Sequence, residues 1–141
     1  MKLVKFDKAK HYQKLLSIWE HYGWPPCPIA FLPKTGYVAQ RDDGTFIGAL
    51  FMYLVPGSVA MPTWATGSRE VQPQERQEAF AQLFTTLRSI AVAQGCTFLY
   101  GVTASPPFKK MMESWGMSPV EDHMQSFIMS LCGEDTAFLK D

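Results

Sequence analysis

The spacing of apolar side chains divides the chain into segments of period two and segments of helical period. KLVKF at residues 2–6 alternates polar and apolar positions, as a half-buried first strand does. Tyr12, Leu15, Leu16 and Trp19 then recur at i, i+3, i+4 and i+7, which predicts an amphipathic helix capped at Asp7 and ended near Gly23. The proline-rich stretch PPCPIAFLP at 25–33 reads as a loop or short helical turn. After it, GYVAQ, the turn Asp42-Asp43-Gly44 and TFIGALFMYLV predict a β-hairpin whose second strand is apolar on both faces and therefore covered on both. SVAMPTW follows a Pro56-Gly57 turn as a further strand, in which Pro62 lacks a ladder donor and is expected at a bulge or an unpaired stretch.

The longest helix is predicted to start at Pro73, to bury Phe80, Leu83, Phe84, Leu87, Ile90 and Ala91, and to stop at Gly95. TFLYGVTA at 97–104 reads as a strand. Phe108, Met111, Met112 and Trp115 stripe a short helix closed by Gly116, and HMQSFIMSL at 123–131 reads as a last strand. The order β-α-β-β-β-α-β-α-β predicts an α+β fold, a mixed α/β sheet with helices on both faces.

At 141 residues the chain has one domain's length, enough to bury roughly two-thirds of the surface of its unfolded form. The domain is expected over 1–131, with 132–141 a loose tail. Thirteen basic residues balance thirteen acidic ones, so no global positive field is available to hold a polyanion. Cys27, Cys96 and Cys132 are odd in number and lack metal-ligand spacing; no disulfide framework and no metal site are expected, and a reducing cytoplasm fits. The charged N-terminus and the short apolar run Phe46 to Pro56 predict neither secretion nor a membrane span.

Chemistry concentrates in Val71-Gln72-Pro73-Gln74-Glu75-Arg76-Gln77-Glu78-Ala79-Phe80-Ala81, where the free N–H groups and positive dipole end of a helix can receive phosphate oxygens. In this segment Val71, Pro73, Arg76 and Ala81 fall in register with the Val-x-Pro-x-x-Arg/Gln-x-x-Gly-x-Gly/Ala loop of the GNAT (GCN5-related N-acetyltransferase) superfamily, which the chain resembles. LPKTGYVAQRDDGTFIGALFMYL, SVAMPTW and AVAQGCTFLYGVTASPPFKKMMESWGM extend the resemblance over residues 1–131, toward small GNAT proteins associated with phages.

The resemblance implies an acyl-CoA-dependent N-acyltransferase with a GNAT-like fold. Acetyl-CoA or another acyl-CoA would be the donor, and an amine of a small molecule, a protein or a nucleobase the acceptor. The cofactor-binding positions it implies are Val71, Arg76, Gln77, Glu78, Ala79, Phe80, Ala81, Ser105 and Lys109, with Arg76 expected to face solvent. Several positions depart from the family pattern. Ala79 replaces the first loop glycine, its Cβ expected where backbone approaches the pyrophosphate. Glu75 and Glu78 repel a diphosphate, Met112 stands at the usual acid tyrosine and Ser105 at the usual asparagine. An alkylammonium of pKa ~10.4 must lose a proton before it attacks a thioester. Glu70 is the candidate base, with Thr63 positioning a water. The alternative is a GNAT-fold protein without catalysis, serving a phage as a structural or host-interaction module. A homodimer stays open as its oligomeric state.

Overall fold

Asp7 opens the first helix as its sequence predicts, its carboxylate accepting the N–H of Lys10 at 3.1 Å, and Gly23 closes that helix in the left-handed region at φ 69°. A second bond reinforces the start, because Nδ1 of His11 accepts the N–H of Asp7 at 2.9 Å. The computed structural model describes residues 1–103, 105–120 and 131. Within them the order is β1 (Lys2–Lys5), α1 (Lys8–Tyr22), β2 (Thr35–Gln40), β3 (Phe46–Val55), β4 (Val59–Gly67), α2 (Pro73–Ala93), β5 (Phe98–Leu99) and α3 (Pro106–Ser114). The strand expected at 123–131 and the tail expected at 132–141 lie outside the described residues, Leu131 apart.

The sheet runs β1-β2-β3-β4-β5, antiparallel except for the parallel β4–β5 pair. Strand β3 lies at its centre, and its side chains divide between two cores, as a strand apolar on both faces requires. Ile47, Leu50 and Met52 join Ala79, Phe80, Leu83, Phe84 and Leu87 of α2 on one face. Phe46, Ala49 and Phe51 join Leu15, Ile18 and Trp19 of α1 on the other. Helices thus cover both faces, and the fold is the mixed α+β sheet that the pattern implies.

The proline-rich loop after α1 is held by tyrosine hydroxyls. Tyr12 donates to the Cys27 carbonyl at 2.6 Å, and Tyr53 of β3 donates to the Phe31 carbonyl. Cys27 is fully buried, and that burial pushes its thiol pKa up to about 12.

This packing has two measurable consequences. A Cβ on Gly36 would fall inside the ring of the fully buried Phe51. Gly36→Ala is therefore expected to destabilise the fold by about 1–3 kcal/mol through overpacking, read by chemical unfolding; an unchanged midpoint would show that β2 can shift. The second concerns acid. Burial lowers the His11 pKa below its ordinary value, outweighing the opposing pull of Asp7. The folded state thus favours the neutral ring that accepts from Asp7, and this stability is present above the unfolded pKa and lost as pH falls through the folded one. His11→Asn keeps an acceptor that does not titrate, so its melting temperature should fall less than the wild type's on acidification across the histidine range.

Candidate functional site

Strand β5 is shorter than its sequence suggests, and β4 supplies the reason. Phe98 donates to the Ser58 carbonyl at 3.0 Å and Tyr100 to the Ala60 carbonyl at 2.9 Å, so the even-numbered residues of β4 face β5 at that end. The next donor required of β4 on that edge is at position 62, where proline has no N–H. Pairing stops, and among the described residues the strand expected over 97–104 is reduced to Phe98–Leu99. Pro62 itself stays in register with Met52 of β3. Of the bulge or unpaired stretch expected at Pro62, the unpaired stretch is its edge toward β5, and a bulge lies two residues on. Phe51 pairs with Thr63 but Ala49 with Thr66, leaving Trp64 and Ala65 opposite Leu50.

Trp64 has φ 52°, and among the described residues it alone combines a side chain with positive φ. A bulky side chain is strained in that region, and its surroundings hold it there. Its ring packs against Trp19 at 5.9 Å and Phe31 at 6.0 Å between centroids, and its Nε1–H donates to the Tyr53 hydroxyl at 3.3 Å. The buried hydroxyl of Thr66 fixes the same corner, accepting from Trp19 Nε1 at 2.8 Å and donating to the Trp64 carbonyl at 3.0 Å.

Beyond Ala60 the two strands part around a cleft of about 180 Å³. Pro62, Thr63, Trp64 and Ala65 form one wall, Val102, Thr103 and Ser105 the other. Phe108, Met112 and Trp115 of α3 close one side, and Trp24 from just past the end of the first helix lines it too. Aromatic contacts bind α3 to α2: Trp115 stacks on Phe84 at 4.3 Å and Phe108 meets Phe80 edge-on at 6.1 Å. The Met112 sulfur lies against Gly101, where a Cβ would come within 2.8 Å of it.

Of the site positions singled out in the sequence, Thr63, Ser105 and Met112 meet in this cleft. Val71, Arg76, Gln77, Glu78, Ala79, Phe80 and Ala81 belong instead to the loop after β4 and the first turns of α2. Lys109 is exposed on α3, and Glu70 is paired with Lys14 at 3.2 Å on the surface. The helix start is bare as expected, since no side chain caps it and Pro73 occupies its first turn.

Two expectations about this loop are corrected. Arg76 does not face solvent freely. Its Nη1 donates to the Ser68 carbonyl at 2.8 Å and the Val71 carbonyl at 2.9 Å, and its Cδ lies over Gly67. Nor does the Ala79 Cβ stand where a pyrophosphate would approach, for Ala79 is fully buried between α2 and the sheet, with Phe80 beside it.

Glu75 is also less of an obstacle than its charge suggests. Arg41 holds its two oxygens by paired bonds of 2.8 Å, which offset the negative charge and keep its carboxyl below the usual range. The lining residues that sequence reasoning missed are Trp24, Trp64, Ala65, Val102, Thr103, Phe108 and Trp115. Only Phe108 and Trp115 belong to a recognisable stripe, and that stripe marks them as core.

No family model matches the chain, and no curated protein does. Solved structures match it along nearly its whole length. A probable acetyltransferase superposes with a TM-score of 0.66 at 16% identity, covering 95% of this chain and 100% of its own. An acetyltransferase from Trypanosoma brucei gives 0.61 at 16% identity, covering 90% and 99%. The aminoglycoside N-acetyltransferase AAC(6')-Iy, in complex with CoA, gives 0.64 at 14% identity, covering 92% and 100%. The fold of this chain is therefore that of acetyltransferases.

The inward turn of Arg76 is open to direct measurement. Arg76→Ala removes two charge-assisted bonds to loop carbonyls, and should lower stability by about 1.5–3 kcal/mol, seen as a reduced unfolding midpoint. A midpoint equal to the wild type's would return Arg76 to the solvated role that the sequence suggests.

Proposed function

We propose that this protein is an acyl-CoA-dependent N-acyltransferase, with acetyl-CoA the simplest donor. The observation that carries this reading is the open edge of β4 beyond Pro62, in a fold shared with a CoA-bound acetyltransferase. An unpaired strand edge can hold an extended amide-bearing arm by main-chain hydrogen bonds, as an added strand would. In this reading the pantetheine arm of CoA lies between Thr63–Ala65 on one side and Val102, Thr103 and Ser105 on the other. The diphosphate sits at the uncapped start of α2, where the N–H groups of Gln74 and Glu75 have no helical acceptor. Arg76 then shapes the loop through the Ser68 and Val71 carbonyls, and Lys109 meets an outer phosphate.

The acceptor nitrogen attacks the thioester carbonyl within the ternary complex, so that the enzyme contributes proximity more than covalent chemistry. Backbone N–H groups at the Trp64–Ala65 bulge polarise that carbonyl, the role a preorganised donor plays for developing negative charge. The Thr63 hydroxyl positions a water. Glu70, drawn toward Lys14 and outside the cleft lining, serves as a base only through solvent. No helix of the described residues is long and apolar enough to cross a membrane, and a cytoplasmic setting is in keeping with the free thiols of Cys27 and Cys96.

One observation favours a module without catalysis: Glu78, which forms no ion pair among the described residues, remains near the helix start that must accept a diphosphate. Calorimetry with acetyl-CoA separates the two readings. A micromolar Kd, near about −8 kcal/mol, weakened with dephospho-CoA and kept with desulfo-CoA, is expected of the enzyme. No heat at millimolar ligand would overturn it and leave the module, in a phage particle or against a host protein.

A further inference from the structure

We infer that the acceptor carries a planar ring that lies on Trp24, which makes Trp24 a specificity-determining residue of the transfer. The inference rests on the acyltransferase reading of the cleft and adds which chemistry its second side selects. The cleft lies between two strands, and its lining draws on both cores. Phe108 and Trp115 lean on Phe80 and Phe84 of α2, the helix whose start receives the diphosphate in that reading. Trp64 packs instead against Trp19 of α1, and Trp24 follows that same helix. A donor arm arriving from the α2 side leaves the two tryptophans to the acceptor.

The chain presents Trp24 as a fixed ring with one surface open. Gly23 donates to the Glu20 carbonyl at 3.0 Å and Trp24 to the Trp19 carbonyl at 2.8 Å, the paired bonds of a Schellman cap. Pro25 and Pro26 follow at once and stiffen the exit. An apolar side chain at this place in a cap commonly folds back onto the helix's last turns. Trp24 instead stays 45% exposed and borders the cleft. One face rests on Tyr22, with ring centroids 4.6 Å apart and planes 20° from parallel, and Arg69 lies 5.7 Å above that same Tyr22 ring. Ordering of the indole is thus largely complete before a ligand arrives, which lowers the cost of binding against it. A flat ring gains from such a surface twice, by apolar burial and by offset stacking of the two π-systems, whereas a saturated ring of the same size gains only the first. The hydroxyls of Thr63, Thr103 and Ser105 line the same space and suit polar substituents at the ring's edge. The transfer balances as before: the amine nitrogen forms the C–N bond, the thioester C–S bond breaks, and the proton leaving nitrogen ends on the CoA thiol.

The test pairs 3-phenylpropylamine with 3-cyclohexylpropylamine, and 4-phenylbutylamine with 4-cyclohexylbutylamine, each offered with acetyl-CoA to the full chain while thiol release and the acetylated product are followed. The methylenes insulate nitrogen from ring, so the members of a pair are alike in basicity and reach and differ in flatness. Expected is a kcat/KM about fivefold higher for the phenyl member of at least one pair. Trp24→Ala should raise the KM of that phenyl amine about tenfold, while the cyclohexyl amine and the Kd for acetyl-CoA stay within about twofold. Trp24→Phe, which keeps a ring, should restore most of the phenyl preference, and the unchanged Kd guards against a variant that merely unfolds. Equal use of both members of each pair, an equal loss of both in Trp24→Ala, or acetyl-CoA binding with no transfer to any of these amines overturns the inference and leaves CoA binding standing. Absence of acetyl-CoA binding removes the acyltransferase reading and the inference with it.

Discussion

One missing hydrogen-bond donor organises this molecule's chemistry. Residues 58 and 60 of β4 and its lead-in accept from β5 in alternation, and the ladder would continue through position 62 if that residue had an N–H. Proline ends it, and the strand edge beyond is left without its neighbour. An unpaired edge inside a protein is costly unless something covers it. Here a cleft lies beside that edge, lined across from β4 by Val102, Thr103 and Ser105 and further by Phe108, Met112 and Trp115 of α3 and its C-cap and by Trp24. Splay, cleft and exposed main chain are consequences of the same residue.

The bulge at Trp64 and Ala65 adds a second departure from regular pairing just beyond Pro62. Both departures are carried on β4 while β3 beside it stays buried on both faces and locked between two helices. Irregular backbone is tolerated at the cleft because the opposite edge of β4 is regular over most of its length. The two tryptophans that meet there, Trp19 and Trp64, share Thr66 as a link between the α1 core and the β4 corner.

Much of this architecture was legible in the sequence where local chemistry decides it. Asp7 and Gly23 bound α1, Pro73 starts α2, and the doubly apolar β3 announces helices on both faces. What was not legible depended on partners distant in the chain. TFLYGVTA has the composition of a strand throughout, but its pairing fails because of Pro62, a residue far earlier in the chain. Arg76 looks solvated until the loop folds its own carbonyls toward it. The burial of Ala79 could have been read, since it lies four residues before Leu83 on the same helical stripe; the motif drew attention to its role as a glycine substitute instead. Trp24 and Trp64 carry no period at all, and only the folded chain brings them to one cleft.

The loop at 25–33 has a consequence for how the cleft responds when filled. Its backbone is stiffened by proline and pinned at both ends of its course by Tyr12 and Tyr53, and Phe31 within it braces Trp64. The facing residues Val102, Thr103 and Ser105 have lost the ladder, and the Ser105 N–H donates to the Thr103 hydroxyl at 3.1 Å. Compliance is therefore unequal across the gap: the tryptophan side acts as an anvil, and adjustment to guests of different thickness falls on the segment leading into α3.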